Sequence, residues 1–440
     1  MGGNVEELTC KITFSEKVKI YSEDYLKCCI YITRFLEPRH YFTKRMYSKL
    51  ISTSHLLEDF LDFHGAKNNR GWYFYRELAA TVRHISLGCY AQQHILNRLE
   101  YYGLEDVATF RKEGEKTLEF LNSVLIRVAP VILEEAATLG IPLPASAFEP
   151  QDFPGVITSE VLEHNIDDDE DAVPFQGHYI VKIASELIAT AKDFDQFGFY
   201  EPYPYAEMLE LVPAKVNEAE IRRFQVLVHN LQSSFDTYVI HGGYRFGNRR
   251  LKQLRSHFSV SFHLLQIVSR MLHYYERHLR VRGFKDSYKK VQEVLCDYVD
   301  PEILLDRTVN YALFYVNHYL SSGTQLAKEL LNEYVEQGSI TVGIPVKLGF
   351  HSRPSLMVAK IVQHYGGRVD LCVGDAVFDA SSVLDIQWAG GKIQKEAIQE
   401  VCFKGDVRAL KDIQVLAAVN YGEDSMGKGI PLPKELTYLR

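Results

Sequence analysis

The stretch Gly349-Phe350-His351-Ser352-Arg353-Pro354-Ser355 follows a run in which Ile340, Val342, Ile344, Val346 and Leu348 are apolar at every second position. That alternation has the period of a half-buried strand, and it predicts a strand from Ile340 to Leu348. A helix is expected to open at Ser352, because an amphipathic pattern continues to Tyr365 and Gly366-Gly367 then stops it. His351 therefore stands at a helix start, beside backbone N–H groups with no partner and at the positive end of the helix dipole. An anion is favoured there by about 0.3 to 1 kcal/mol. An imidazole titrates close to neutrality, so a fraction of it is always the free base that can attack a phosphoryl group. Arg353 adds a planar fork of donors that matches phosphoryl oxygens, and the Ser352 hydroxyl and backbone lie in the same turn. Gly349 lets the chain turn without a side chain over the imidazole. A histidine that merely caps the helix fits the same spacing.

Downstream, the pattern predicts a strand at Arg368 to Val373, a turn at Gly374-Asp375, a helix after Ser381-Ser382, a strand near Ile398 to Phe403 and a last helix from Asp406. The order βαββαβα is that of an open-faced sandwich, with helices on one side of a small antiparallel sheet. Gly-x-His-x-Arg-Pro after the first strand of such a domain resembles the active-site signature of the HPr family, the histidine phosphocarriers of the bacterial phosphotransferase system. The resemblance spans about 340 to 424. It implies that His351 and Arg353 carry the chemistry, with Ser352 and Arg353 holding the phosphate. Ser382-Val383-Leu384-Asp385-Ile386 is similar to the family's regulatory serine site, which implies a serine kinase acting on Ser382. Leu356, Val383 and Leu384 match the apolar patch on which partners dock, although Val383 and Leu384 are also suited to a core. The implied partners are an enzyme I-like donor and a protein acceptor, and no cofactor or metal is implied. Phe350, Leu356, Ser381 and the Gly390-Gly391 loop depart from the family's usual pattern.

Upstream, the reading is helical. Phe74, Leu78, Val82, Ile85, Cys89, Ile95, Leu99 and Tyr102 form one apolar face that Gly103 should end, and Pro130 interrupts the next long helix. Ile141-Pro142-Leu143-Pro144 closes this part, and the acidic string Asp167 to Asp171 marks a linker. Helices resume at His178. Asn217 with Glu220 is a capping pair, and Asp300-Pro301 opens a helix expected to run to Gly338. Leu251, Leu254, Phe258, Phe262, Leu265, Val268, Leu272, Tyr275 and Leu279 make a stripe fit for a bundle or for a homodimer. The organisation expected is multidomain α and α+β: a helical domain at 1–150, an acidic linker at 151–177, a helical bundle at 178–337, the phosphocarrier-like domain at 338–424 and a tail at 425–440.

At 440 residues the chain exceeds one core. Its net charge of -8 argues against a general nucleic-acid coat, which leaves the basic, aromatic stretch from Tyr244 to Arg255 better read as a solvated helix start. The seven cysteines show no C-x-x-C or metal-ligand spacing and read as reduced thiols. With no membrane span and no apolar signal region, the expected location is cytoplasmic. The expected function is to carry or signal a phosphoryl group on His351 without independent turnover. The rival is a non-phosphorylated interaction module of the same fold beside a helical signalling or nucleic-acid-binding region.

Overall fold

The computed structural model describes residues 13–34, 42–105, 107–157, 160, 162, 177–240, 249–280 and 285–439. The acidic string from Asp167 to Asp171 lies outside them, as do Tyr244, Arg245 and Phe246. The described part is mostly helical. In chain order its helices are α1 (Phe14–Arg34), α2 (Lys44–Phe63), α3 (Tyr73–Tyr102), α4 (Val107–Thr138), α5 (His178–Asp195), α6 (Tyr205–Leu211), α7 (Glu218–Phe235), α8 (Arg249–Tyr274), α9 (Asp286–Tyr298), α10 (Pro301–Asp306) and α11 (Phe314–Tyr334). None is long and apolar enough to cross a membrane.

The caps read from the sequence are present. Gly103 ends α3 at φ +59°, where a left-handed residue is needed. Glu220 N donates to Asn217 Oδ1 at 3.1 Å, and Asp300 accepts from the N–H groups of Glu302 and Ile303 with Pro301 in the first turn. The long helix expected from Asp300 to Gly338 is not one α-helix. A π-helical segment, Arg307–Leu313, joins α10 to α11, and the chain leaves helix after Tyr334 because Gln337 is already paired in a strand. Further π turns follow α7 at Asp236–Ile240 and α8 at Tyr275–Leu279.

The chain divides into two compact units that do not follow the expected linear boundaries. The first takes Met1–Asp168, Asp195–His229 and Ser256–Tyr319, and the second takes Asp169–Phe194, Asn230–Arg255 and Leu320–Arg440. In the first unit, Leu78, Val82, Ile85, Cys89, Ile95 and Leu99 of α3 are buried, as their spacing requires. The start of the expected linker belongs to this unit: Phe153 is buried and its carbonyl accepts from Thr43 Oγ1. Along the stripe, Leu251, Leu254, Phe258, Leu265, Val268, Leu272, Tyr275 and Leu279 are buried within the single chain. The chain itself therefore covers these positions.

The second unit carries the sheet. Strands β1 (Gln337–Gly343), β2 (Val369–Val373), β3 (Ala376–Asp379) and β4 (Glu400–Asp406) alternate with α12 (Ser352–Tyr365), α13 (Val383–Glu396) and α14 (Val407–Ala418) in the order βαββαβα. The sheet order is β1-β4-β2-β3 and every pairing is antiparallel, with Phe403 of β4 opposite both Ile340 and Leu371. Val358, Ile361 and Val362 of α12, Ile386 and Ile393 of α13, and Leu410 and Ile413 of α14 cover one face of the sheet with Leu371 and Phe403. Within the unit, α5 and α11 also touch this domain: Arg408 Nη1 donates to Ser185 Oγ at 3.3 Å, and Arg368 N donates to Asn332 Oδ1 at 2.7 Å.

Two features differ from the sequence reading. β1 spans Gln337–Gly343, and the alternation to Leu348 is not a strand; Val346 and Leu348 are 79% and 80% exposed. The partner strand β4 begins at Glu400, opposite Gly343; beyond it Ile344 N still donates to Gln399 O at 3.2 Å, and there the pairing ends, since Pro345 has no N–H to give. Side chains take over: Tyr421 OH donates to Gly343 O at 2.7 Å and Val346 N donates to Asn420 Oδ1 at 3.0 Å. The segment expected as a tail is part of the domain. Glu423 and Gly429 form an antiparallel bridge, and the 3-10 helix Lys434–Leu439 buries Leu436 and Leu439 in the core.

Candidate functional site

The loop between β1 and α12 is held in a conformation that projects His351. Leu348 and Gly349 are both left-handed, at φ +63° and +59°. Leucine resists that region, so the turn stores strain that the surrounding contacts must hold. His351 N then donates to Gly349 O at 2.8 Å, and His351 becomes the extended residue that precedes α12, with φ -81° and ψ -174°. Phe350 beside it points inward, 3% exposed and with its ring 5.2 Å from that of Tyr421. The anchored phenylalanine fixes the loop and leaves the imidazole half-buried at the helix start. The side chain of His351 does not cap the helix, which removes the capping role that its spacing also fitted.

A residue that sequence reasoning missed completes the site. Glu423 Oε2 lies 3.1 Å from His351 Nε2, and the glutamate side chain is 1% exposed against 31% for the histidine. No partner other than His351 is found for this carboxylate among the described residues, and its Oε1 is buried without a hydrogen bond. A buried carboxylate facing one ring nitrogen selects the tautomer with the proton on that nitrogen. The lone pair then sits on Nδ1, on the other side of the ring. Glu423 is positioned by Asn420, whose Nδ2 donates to its carbonyl at 3.1 Å, and by the bridge to Gly429.

The same bridge seats Arg353. A Cβ built on Gly429 would lie 2.0 Å from both Nη1 and Nη2 of Arg353, so the guanidinium lies flat against bare backbone. One end of the 423–429 turn thus meets His351 and the other end carries Arg353. Lys347 Nζ donates to Met426 O at 2.8 Å and closes the turn over the loop.

Ser352 is exposed and its hydroxyl accepts from Gln387 Nε2 at 3.1 Å, which ties the start of α12 to α13. Ser382 caps α13, with Asp385 N donating to its Oγ at 3.3 Å. Leu356 and Leu384 are exposed by 42% and 62%, whereas Val383 packs against the core. Trp388, one turn after Leu384 on α13, is 68% exposed and extends the apolar surface.

No family model matches the chain, and no curated protein or solved structure matches it either. The basic cluster farther back is partly engaged: within the second unit Arg250 pairs with Glu329 and Glu333, and Arg255 with Asp236. Among the described residues, the group of histidine, cysteine and carboxylate side chains spaced to hold a metal is His84, His273 and His278, in the first unit and apart from His351.

Proposed function

We propose that the domain at 337–439 is a phosphoryl carrier of the HPr type, in which His351 takes a phosphoryl group from an enzyme I-like donor and passes it to a protein acceptor. The observation that carries this reading is the pairing of His351 Nε2 with the buried Glu423 carboxylate at a helix start. The βαββαβα order with an all-antiparallel sheet supports it, being the order that the sequence resemblance implies.

In this reading the Nδ1 lone pair of His351 attacks the donor's phosphorus. The bond from phosphorus to the donor breaks, and its electron pair returns to the donor. The ring of His351 gains positive charge as the new N–P bond forms, and Glu423 stabilises it from the Nε2 side. The N–H groups of Ser352 and Arg353 at the start of α12 and the Arg353 guanidinium hold the phosphoryl oxygens. Leu356 on α12 and Leu384 and Trp388 on α13, helices that Gln387 and Ser352 tie together beside His351, present the kind of exposed apolar surface that a transient partner covers. Ser382 lies at the edge of that surface, where phosphorylation by a kinase would place charge against an incoming donor.

Incubation with phosphoenolpyruvate and enzyme I tests the reading. Wild type gains one acid-labile phosphate by intact mass and His351→Ala gains none. Equal uptake by the two proteins refutes it.

A further inference from the structure

The first unit holds a cluster of imidazoles that phosphoryl transfer at His351 does not use. His84 comes from α3, His273 from the last turn of α8, and His278 from the π turn that follows. Each offers a ring nitrogen, and these three atoms lie within 4.8 Å of one another. His84 and His273 stack at 4.4 Å between centroids, and His278 is 5.5 Å from the first and 5.7 Å from the second. The π turn explains how residues five apart meet. In a continuous α-helix they would point about 140° apart, but the wider turn, with Arg280 N donating to Tyr275 O at 2.9 Å, brings them toward one side.

The cluster is buried and under-bonded. His84 and His278 are 2% and 3% exposed. Among the described residues, neither ring nitrogen of His84 has a hydrogen-bond partner, and neither has Nδ1 of His273 nor Nε2 of His278. Buried polar atoms are normally paired, so three imidazoles packed together with unused nitrogens within 4.8 Å of one another call for another occupant. Behind them stand carboxylates. Glu77 Oε2 is hydrogen-bonded to His278 Nδ1 at 2.7 Å, and Glu218 Oε2 is 2.9 Å from His273 Nδ1, at ion-pair distance but without hydrogen-bond geometry. Glu77 is itself held by Arg76, which also pairs with Glu58 and Asp62. A carboxylate on the far nitrogen of a histidine is the outer-shell arrangement that orients metal-binding imidazoles.

We propose that His84, His273 and His278 bind a divalent transition-metal ion of the zinc class, with Glu77 and Glu218 as the residues that orient two of the ligands. Three neutral imidazoles suit zinc and its neighbours and not calcium or magnesium, which take oxygen ligands. Bonds of about 2.0 to 2.1 Å to a tetrahedral ion would draw the three nitrogens to about 3.3 Å apart and leave a fourth position for water or an exogenous ligand.

The test uses the full chain, purified without chelators. Elemental analysis is expected to find about one zinc per chain, and the protein stripped of metal is expected to give visible d–d bands with Co2+ at one equivalent. His278→Gln and His84→Gln should each weaken Co2+ binding at least tenfold, while His94→Gln, outside the cluster, should not. X-ray absorption at the zinc edge of wild type reads the ligands without relying on the folding of any variant. Three imidazoles in the shell support the site. A shell without them, no Co2+ binding at micromolar protein, or binding that folded His278→Gln retains in full overturns it.

Discussion

His351 Nε2 and Glu423 Oε2 lie 3.1 Å apart, and the two residues are 72 positions apart in the chain. The contact turns a histidine at a helix start into one with a defined free nitrogen. Glu423→Gln keeps the shape and removes the charge. It is expected to slow phosphorylation of His351 roughly ten- to a hundredfold, the usual cost of losing an orienting carboxylate, with the far-UV circular dichroism unchanged. Stopped-flow or quench kinetics with enzyme I read the rate, and a rate equal to wild type would show that the carboxylate has no part in the chemistry.

Gly429→Ala should act through Arg353. The added methyl occupies the position of the guanidinium, which lies 2.0 Å from where that Cβ would be. The arginine end is flexible and can move aside, so the cost in stability is small, but the phosphoryl oxygens lose their partner. Transfer by Gly429→Ala and by Arg353→Ala should fall by similar factors, and the double variant should fall no further than either. Additive losses would separate the two residues.

Trp388 and Leu384 are expected to serve encounter and not folding. Trp388→Ala should raise the donor KM roughly tenfold, a cost of the size seen when an exposed aromatic anchors a partner, while the melting temperature stays put. A KM within twofold of wild type removes Trp388 from the docking surface.

Ser382 caps α13, and the regulatory part proposed for it can be separated from that bond. Ser382→Ala loses the bond to Asp385 N and should cost about 1 kcal/mol of stability. Ser382→Asp keeps a good cap and adds a charge, so it should leave stability unchanged and slow phosphorylation at His351. If donor kinetics are the same for wild type, Ser382→Ala and Ser382→Asp, the serine is a cap alone.

Buried histidines away from both sites should make the first unit sensitive to acid. Burial, with His263, Lys44 and Arg98 nearby, pushes His94 down to about 3. Burial with His318 pushes His257 down to about 4, against a weaker upward pull from a hydrogen bond with the Tyr319 backbone. Above pH 6.5 these rings are neutral whether folded or not, and they contribute nothing to pH dependence. As pH falls below 6.5 the unfolded chain takes up protons that the folded chain refuses, so stability drops, by up to about 1.4 kcal/mol per histidine for each pH unit. Urea unfolding at pH 7 and pH 5 should show the loss, and His257→Gln should make it smaller. A stability that is flat or rising toward pH 5 would contradict the assignment.

Local signals carried most of the C-terminal domain into the sequence reading. Gly366 and Ser382 delimit α12 and α13, and Asp406 caps α14, as their residue types imply. What failed was set by distant partners. Val346 and Leu348 continue the strand period, but β4 ends the ladder at Gly343, a fact about another strand. Glu423 was invisible because nothing local separates a glutamate that meets a histidine from any other glutamate near a chain end. Trp388 had a usable signal, its spacing of four from Leu384 on a helix whose other face is core. His273 and His278 have a spacing that no α-helix presents on one side, and only the π turn Tyr275–Leu279 joins them. The discontinuous composition of the two units likewise follows from packing among segments far apart in sequence.

The most direct measurement of the central claim is 31P NMR of the intact chain after incubation with phosphoenolpyruvate and enzyme I. Because Nε2 of His351 faces Glu423, one phosphohistidine resonance is expected, with the chemical shift of the Nδ1 isomer and absent in His351→Ala. A resonance of the Nε2 isomer, or a phosphohistidine signal that persists in His351→Ala, would contradict it.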